Sequence, residues 1–492
     1  MLTLVDKNRK EATAQLNAST RGALGQFMTP SSTAKFLASL FEVNSSPIHL
    51  LDAGAGAGSL TAAFLDRLIN HEPWGKAPVK ISAFEIDPVL LPYYDKIINL
   101  YSSVFKEINC SLNSMLNHGD FIEIAVKMIA DNQVCNFSHA ILNPPYKKIN
   151  SQSRHRKLLS SIGFETVNLY SAFVGLSIHL LKEKGELVAI IPRSFCNGNY
   201  YKGFRKLIVG NTSIRQIHLF DSRDRAFKDD AVLQENIVIH LVKGASQGNV
   251  LISKSTDDTF NDLRSYSVPF NQVIKSNDDE IFIHIPEENQ CELESSKLVI
   301  HTLEDLGISI STGPVVDFRV RDFISHEPNS DTVPLLYPSH FNCKEIDWPK
   351  NGKKPNAIVL NEATKKMLYP SGYYTVVKRF SSKEEKQRVV ARVINPEMLD
   401  SSFVGIENHL NVFHHKKSGI SEDLAYGLAA YLNSSFVDTY FRSFNGHTQV
   451  NATDLKQMRY PSLNVLKDLG KWAKSLPLFD QKLIDEKIEI IL

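Results

Sequence analysis

The apolar run His49-Leu50-Leu51-Asp52-Ala53 breaks into Gly54-Ala55-Gly56-Ala57-Gly58 and resumes as Leu60-Thr61-Ala62-Ala63-Phe64-Leu65. Strand, glycine-rich turn and helix in immediate succession restrict the fold more than any other stretch of the chain. The glycines let the backbone approach a ligand closely, and the helix start behind them offers N–H groups without intrahelical partners. Such a turn, taken alone, serves a dinucleotide as well as other adenosine-bearing ligands.

The stretches that follow narrow the choice. Ile81-Ser82-Ala83-Phe84-Glu85-Ile86-Asp87-Pro88 reads as a second strand ending in a carboxylate, where an acid can take ribose hydroxyls. In His118-Gly119-Asp120-Phe121, Asp120 can accept from an adenine amino group and Phe121 can cover its ring. His139-Ala140-Ile141-Leu142 is a buried strand that stops at Asn143-Pro144-Pro145-Tyr146. Two prolines fix the loop and remove two donors, so it offers carbonyl acceptors, the Asn143 amide and the Tyr146 ring to a planar amino group. Each stretch alone passes for an ordinary loop. Their order does not.

Upstream, Gly25-Gln26-Phe27-Met28-Thr29-Pro30 precedes an amphipathic run (Ala34, Phe36, Leu37, Leu40, Phe41), with Thr29 and Ser31 as candidate caps and Pro30 suited to the first turn. Downstream, 151–156 are polar and basic and read as a mobile loop. Tyr170 to Leu181 reads as a helix; Gly185–Pro192, Ile214–Phe220 and Asn236–Val242 read as strands. Helices alternating with strands predict a doubly wound α/β sheet with its ligands over the strands' carboxyl ends. The last strand pair, joined by a short link containing Phe227, predicts an antiparallel edge. The expected organisation is an arm over 1–21, a first domain over 22–244 and an α+β domain over 245–492.

In these 492 residues Lys plus Arg (55) nearly balance Asp plus Glu (54), so any polyanion-binding surface must be local. The five cysteines, Cys110, Cys135, Cys196, Cys291 and Cys343, include no C-x-x-C pair, which argues against a metal site or a disulfide framework and suits a cytoplasmic protein. No signal peptide and no membrane-length apolar run is read. Beyond residue 301, Lys, Arg, His and aromatics interleave in polar loops. Lys378-Arg379-Phe380 and the block Asn445-Gly446-His447-Thr448-Gln449-Val450-Asn451 suit a nucleic-acid surface.

In this order the motifs resemble the gamma-type N6-adenine DNA methyltransferases of type II restriction-modification systems, with an Eco57I/TaqI-like catalytic domain. The C-terminal block is similar to the ends of the PstI/BsuBI and PaeR7I/XhoI groups. The resemblance implies a Rossmann-like domain with a mostly parallel seven-stranded sheet, a DNA-recognition domain after it, and S-adenosyl-L-methionine as cofactor. It implies that Thr29 and Pro30 border the methionine end, and that Asp52, Ala53, Gly54 and Gly56 form the cradle. Glu85 would hold the ribose hydroxyls, Ile86 and Phe121 would sandwich the adenine, Asp120 would read its amino group, and Asn143 would close the site.

Catalysis is expected from Asn143, Pro144, Pro145 and Tyr146, with Tyr146 and Phe227 stacking on a flipped-out adenine; Phe195 is the rival of Phe227. Base readout is expected from Lys378, Arg379, Asn445, His447, Gln449 and Asn451. The expected partners are double-stranded DNA with a short specific site and a cognate endonuclease on a separate chain, since only about twenty residues precede the first cofactor motif, too few for a nuclease domain. The expected state is a monomer, with no membrane partner. The rivals are a protein-glutamine or ribosomal-RNA amino-methyltransferase, an N4-cytosine enzyme, and a non-catalytic DNA-binding subunit.

Overall fold

A computed structural model describes the chain apart from residues 17–27, 45, 71–73, 132–135, 222–234, 277, 289–297 and 492. It divides into two compact units, Met1–Ile285 and Pro286–Leu492.

The first unit is built on one sheet. Its strands are β1 (Ile48–Ala53), β2 (Val79–Glu85), β3 (Leu112–His118), β4 (Phe137–Leu142), β5 (Leu181–Pro192), β6 (Thr212–Phe220), β7 (Asn236–Lys243), β8 (Val250–Ser255) and β9 (Arg264–Val268). They lie in the order β3-β2-β1-β4-β5-β7-β6-β8-β9. Strands β1 to β5 pair in parallel, and β7 runs antiparallel between β5 and β6. The strand order turns back at β1 and β4, which opens a crevice above their carboxyl ends.

The sequence explains why this sheet is covered on both faces. Successive residues of one strand enter opposite cores: Leu50, Ile141, Val188 and Ile190 pack with Phe36, Phe64 and Tyr101, whereas Leu51, Leu142, Leu187 and Ala189 pack with Phe121, Leu176 and Phe204. A strand apolar at every position can satisfy period-two geometry only if helices cover it on both sides. The helices Ser31–Ser39, Ser59–Ile69 and Leu91–Glu107 cover one face; Phe121–Ala130, Leu169–Leu180 and Lys202–Asn211 cover the other.

Three expectations on this unit need correction. The antiparallel strand β7 is not at an edge. The helix Lys202–Asn211 carries the chain across so that β6 lands two strand spacings from β5, and β7 fills the gap. Nor does the unit end at residue 244: β8 pairs with β6, β9 pairs with β8, and the sheet reaches nine strands. Buried Val250, Ile252, Val273, Ile283 and Ile285 then extend the same core. Finally, 151–156 are a loop only as far as Ser153, which caps a helix, Arg154–Ser161.

The second unit holds two sheets. The first comprises β10 (Ser309–Thr312), β18 (Leu410–His414), β15 (Tyr374–Lys378) and β16 (Ala391–Ile394); the second comprises β11 (Ile324–Ser325), β13 (Ala357–Val359), β12 (Thr332–Leu336), β17 (Phe403–Ile406) and β14 (Leu368–Pro370). Its C-terminal helices include Glu422–Leu432 and Leu463–Ser475, which meet at Gly427 and Gly470. A Cβ at Gly427 would strike the Leu466 carbonyl, and one at Gly470 would strike that of Asp423. Among the described residues, no helix is long and apolar enough to cross a membrane.

The Gly427–Gly470 crossing sets a measurable cost. Gly470→Ala gains helix propensity but forces two backbones apart, and is expected to destabilise the unit by roughly 1–3 kcal/mol in urea denaturation. Gly352→Ala, where an added Cβ meets nothing within 4 Å, is the control and should leave the midpoint in place.

Candidate active site

A cavity of about 280 Å³ lies over the carboxyl ends of the central strands of the first unit. Gly54 and Gly56 from the β1 turn, Glu85 and Ile86 from the end of β2, Gly119 and Asp120 after β3, and Asn143 and Pro145 after β4 all line it. The motifs that the sequence spread over 90 residues thus converge because parallel strands end at one edge.

The glycine turn is shaped by β2. Gly54 N and Ala55 N both donate to the Phe84 carbonyl (2.9 Å each), and Gly56 N donates to Glu85 Oε2 at 2.8 Å. Gly56 adopts φ +56°, and a Cβ there would press on Met28 Sδ at 3.2 Å, so glycine answers both to the backbone and to the space. Glu85 Oε1 accepts from Ile86 N (3.0 Å) and Asp87 N (2.8 Å). Three backbone donors therefore fill three of the roughly four acceptor positions of this carboxylate. Burial raises the proton affinity of Glu85, while the three N–H groups oppose the shift.

Ile86 is 45% exposed although apolar, and Phe121, 3% exposed, also lines the cavity. The Phe121 ring is held by Phe84 (centroids 5.2 Å apart) and Phe173 (5.0 Å). Asp120 caps the helix Phe121–Ala130: its Oδ1 accepts from Ile122 N (2.8 Å) and Glu123 N (3.2 Å). Its other oxygen lies 2.7 Å from His155 Nε2.

At the end of β4 the Asn143 amide is held at both ends. Nδ2 donates to Thr29 Oγ1 at 2.9 Å, and Oδ1 accepts from the Tyr146 hydroxyl at 3.1 Å. Tyr146 also reaches the Ile190 carbonyl on β5 (3.2 Å), and its ring stands edge-on to Tyr170 at 86°. Pro144 is buried beneath them.

Four of the cofactor residues expected from sequence are not part of the cavity lining. Thr29, 5% exposed, spends its hydroxyl on Asn143 and not on capping, and Pro30 takes the cap position of Ser31–Ser39. Asp52 and Ala53 are wholly buried at the end of β1. Asp52 Oδ2 accepts from Thr61 Oγ1 (2.6 Å), whereas Oδ1 has no partner among the described residues. Phe227 lies outside the described residues. Its rival Phe195 is 1% exposed and packs edge-on against Phe204, so it cannot stack on a base. Sequence reasoning missed Met28, Lys147, Lys148, Ser153, His155 and Phe173, all of which line the cavity. Asp120, Glu123 and His155 offer atoms within 4.8 Å of one another, but ion pairs to His155 and Arg154 already engage both carboxylates.

In the second unit the candidate base readers differ in kind. Asn445, 1% exposed, is a correction: its amide donates to the Gln449 carbonyl (3.0 Å) and accepts from Arg388 Nη2 (2.8 Å), which ties a loop from within. Asn451 is the cap of Ala452–Gln457, in a reciprocal box with Asp454. Lys378 lies over the Phe341 ring (5.5 Å), and Arg379 donates to the Asn408 carbonyl (3.2 Å). His447 and Gln449 are half-buried on the loop that Asn445 closes. The hub of that loop, buried Arg388, gave no sequence signal, since it reads as one more surface cation.

Burial pushes the Asp52 carboxyl up to about 7, opposed by the Thr61 hydrogen bonds and reinforced by the charge of Glu85. The unfolded chain releases that proton near the ordinary value of 3.8, so between the two values the folded chain holds the extra proton and stability falls as pH rises. Asp52→Asn keeps an acceptor for Thr61 and cannot ionise. It is expected to flatten this slope in urea midpoints taken across the window and to be the more stable form above neutrality; an unaltered slope would assign the penalty to another group.

The residues of the cavity fit S-adenosylmethionine: a carboxylate at the end of β2 for a ribose, apolar Ile86 and Phe121 for a ring, and no cation in a glycine turn that meets no phosphate. The comparisons with known proteins agree. The Eco57I restriction-modification methylase family matches residues 75–227. Type II methyltransferase M.BsuBI of Bacillus subtilis is 51% identical over 501 residues, spanning 100% of this chain and 98% of the relative. M.PstI of Providencia stuartii is 42% identical over 491 residues, spanning 99% and 96%. The type IIL restriction-modification enzyme MmeI, solved in complex with DNA, shares the fold at a TM-score of 0.52 and 12% identity, over 100% of this chain and 72% of that one. The chain belongs to the type II methyltransferases of restriction-modification systems, and its methyl donor is S-adenosylmethionine.

Proposed function

We propose that the chain is a site-specific adenine-N6 DNA methyltransferase that acts on a base swung out of the duplex. Family membership carries the coarser statement, a DNA methyltransferase of restriction-modification. The observation that carries the finer one is the Asn143 amide, pinned between Thr29 and Tyr146 at the edge of the cofactor cavity.

An adenine amino group is a weak nucleophile because its lone pair is delocalised into the ring. Asn143 Oδ1 and the Pro144 carbonyl accept its two N–H bonds, draw the nitrogen toward tetrahedral geometry and aim its lone pair. S-adenosylmethionine, when bound, supplies an electrophilic methyl on a sulfonium. Gly54, Gly56, Glu85, Ile86, Asp120 and Phe121 hold its adenosine; Glu85, with three positions filled, has one acceptor position left for a ribose hydroxyl. The rate comes from positioning and from acceptors fixed in advance, and the proton leaves after transfer, so no strong base is required. Thr29 acts here on the amide: by accepting from Nδ2 it keeps the oxygen on the Tyr146 side.

Asn143 and buried Pro144 cannot reach an amino group paired within a helix, so the base must leave the stack, at a cost of a few kcal/mol that Tyr146 stacking offsets. Phe227 is proposed as the second stacking ring. The second unit is proposed to read the site through Lys378, Arg379, His447 and Gln449, with Arg or Lys suited to guanine and Gln to adenine. We take the enzyme to act in the cytoplasm as a monomer, one strand at a time, with its endonuclease on a separate chain. Asn, where N4-cytosine enzymes more often carry Ser, supports adenine.

Single-molecule sequencing of DNA from a methylation-free host expressing the protein should reveal one fully N6-methyladenine-marked motif. Asn143→Ala is expected to lower methylation by roughly 10²–10³-fold. Thr29→Val should lower kcat about tenfold with little change in cofactor KM, and Thr29→Ser should restore it. Marked cytosine, or no marked DNA at all, would overturn the adenine reading in favour of N4-cytosine or of an RNA or protein amide.

A further inference from the structure

His155 belongs to no motif, yet it lines the cofactor cavity. It is the second residue of the helix Arg154–Ser161, which Ser153 starts by accepting from Arg156 N (3.3 Å). The first turn of this helix is fastened to the first turn of Phe121–Ala130 by two contacts: His155 Nε2 to Asp120 Oδ2 at 2.7 Å, and Arg154 Nη2 to Glu123 Oε2 at 2.9 Å. A carboxylate has roughly four acceptor positions. Two on Asp120 Oδ1 go to the backbone of its own helix, and one on Oδ2 goes to His155. A single position remains.

We propose that His155 is a positioning residue for the cofactor's adenine: by engaging Oδ2 it fixes the plane of Asp120 and leaves one acceptor position, which selects a ring that carries an exocyclic amino donor. The inference rests on the reading that this cavity takes the adenosine of S-adenosylmethionine. Without His155 the carboxylate keeps its cap but loses the partner that holds its second oxygen, and of the two ties between the helices only Arg154 to Glu123 remains.

The pairing carries a pH signature. The hydrogen bond and charge of Asp120, with the charge of Glu123, raise the proton affinity of His155; burial and Arg154 on its own helix oppose this, and Lys147 and Lys148 line the same cavity. Burial raises the Asp120 pKa, but the His155 bond and charge and the two backbone N–H groups outweigh it and hold the carboxyl below its ordinary value. In between, the contact joins imidazolium to carboxylate; as pH rises through the raised value of His155 it loses its charge and weakens. Cofactor affinity should weaken with it.

The test is calorimetric binding of S-adenosylmethionine to the full chain and to His155→Ala, His155→Gln and Glu85→Gln, from mildly acidic to mildly alkaline pH, with steady-state kinetics beside it. His155→Ala is expected to weaken binding roughly tenfold, to raise cofactor KM rather than lower kcat, and to discriminate less against the analogue with oxygen in place of the amino group. His155→Gln, which can still donate, should recover most of the affinity without the pH slope. His155→Ala binding as tightly as the parent, or losing kcat alone, would overturn the inference. If Glu85→Gln also bound unchanged, the cavity reading itself would fail; if only Glu85→Gln weakened binding, the failure would be that of His155 alone.

Discussion

The site depends on one hydrogen-bonded chain, Thr29–Asn143–Tyr146. The two ends of a carboxamide are almost equal in size and opposite in function, so shape alone cannot decide which end meets an amino group. Partners decide it. One comes from 114 residues upstream, from the turn before the helix Ser31–Ser39, and the other is fastened to β5 through the Ile190 carbonyl. The orientation of a single amide therefore rests on the packing of that helix and on the pairing of β4 with β5.

Beside this chain two carboxylates are buried, Glu85 in the cavity wall and Asp52 behind it. Burial is the larger cause that disfavours ionisation of both Asp52 and Glu85; the charge of Glu85 adds to it at Asp52, and the charge of Asp87 adds to it at Glu85. A neutral ligand would leave that strain in place. A cationic one, such as a sulfonium, would favour the ionised carboxylates and recover part of their desolvation cost. The glycine turn shows the same bias, since its N–H groups are turned on Phe84 and Glu85 and so are not available to a phosphate.

Much of this was legible in the sequence for a physical reason: the central parallel strands β1 and β4 are buried and largely apolar, and they stop where polar or glycine-rich residues begin. Gly54 and Asn143 stand at such stops, and Glu85 ends β2 after the buried run Ile81–Phe84. What the sequence concealed depends on contacts far along the chain. The place of β7 between β5 and β6 follows from where a crossover helix lands, and no periodicity encodes that. Val250 and Ile252 belong to the first unit because β6 has a free edge for β8 to pair with. The helix carrying His155 buries one residue, Leu159, so its sequence looks like a loop. Thr29 read as a cap because threonine before a helix usually is one; here a carboxamide competes for its hydroxyl.

The second unit shows how a polar sequence can mislead in the opposite direction. The block 445–451 reads as a solvated surface, yet Asn445 and Arg388 are its core, linked to each other and to the Ser381 hydroxyl, with Arg388 over the Phe441 ring. Buried polar groups of this kind are stable only when they are satisfied together, and they hold a single loop conformation when they are. The base readout proposed for this loop needs such rigidity, because a reader that moves cannot tell one donor pattern from another. Under the proposed function, the residues that build the loop and those that read from it are therefore different. Asn445 and Asn451 spend their amides on the loop itself, so the readout proposed for this loop falls to neighbours such as half-buried Gln449.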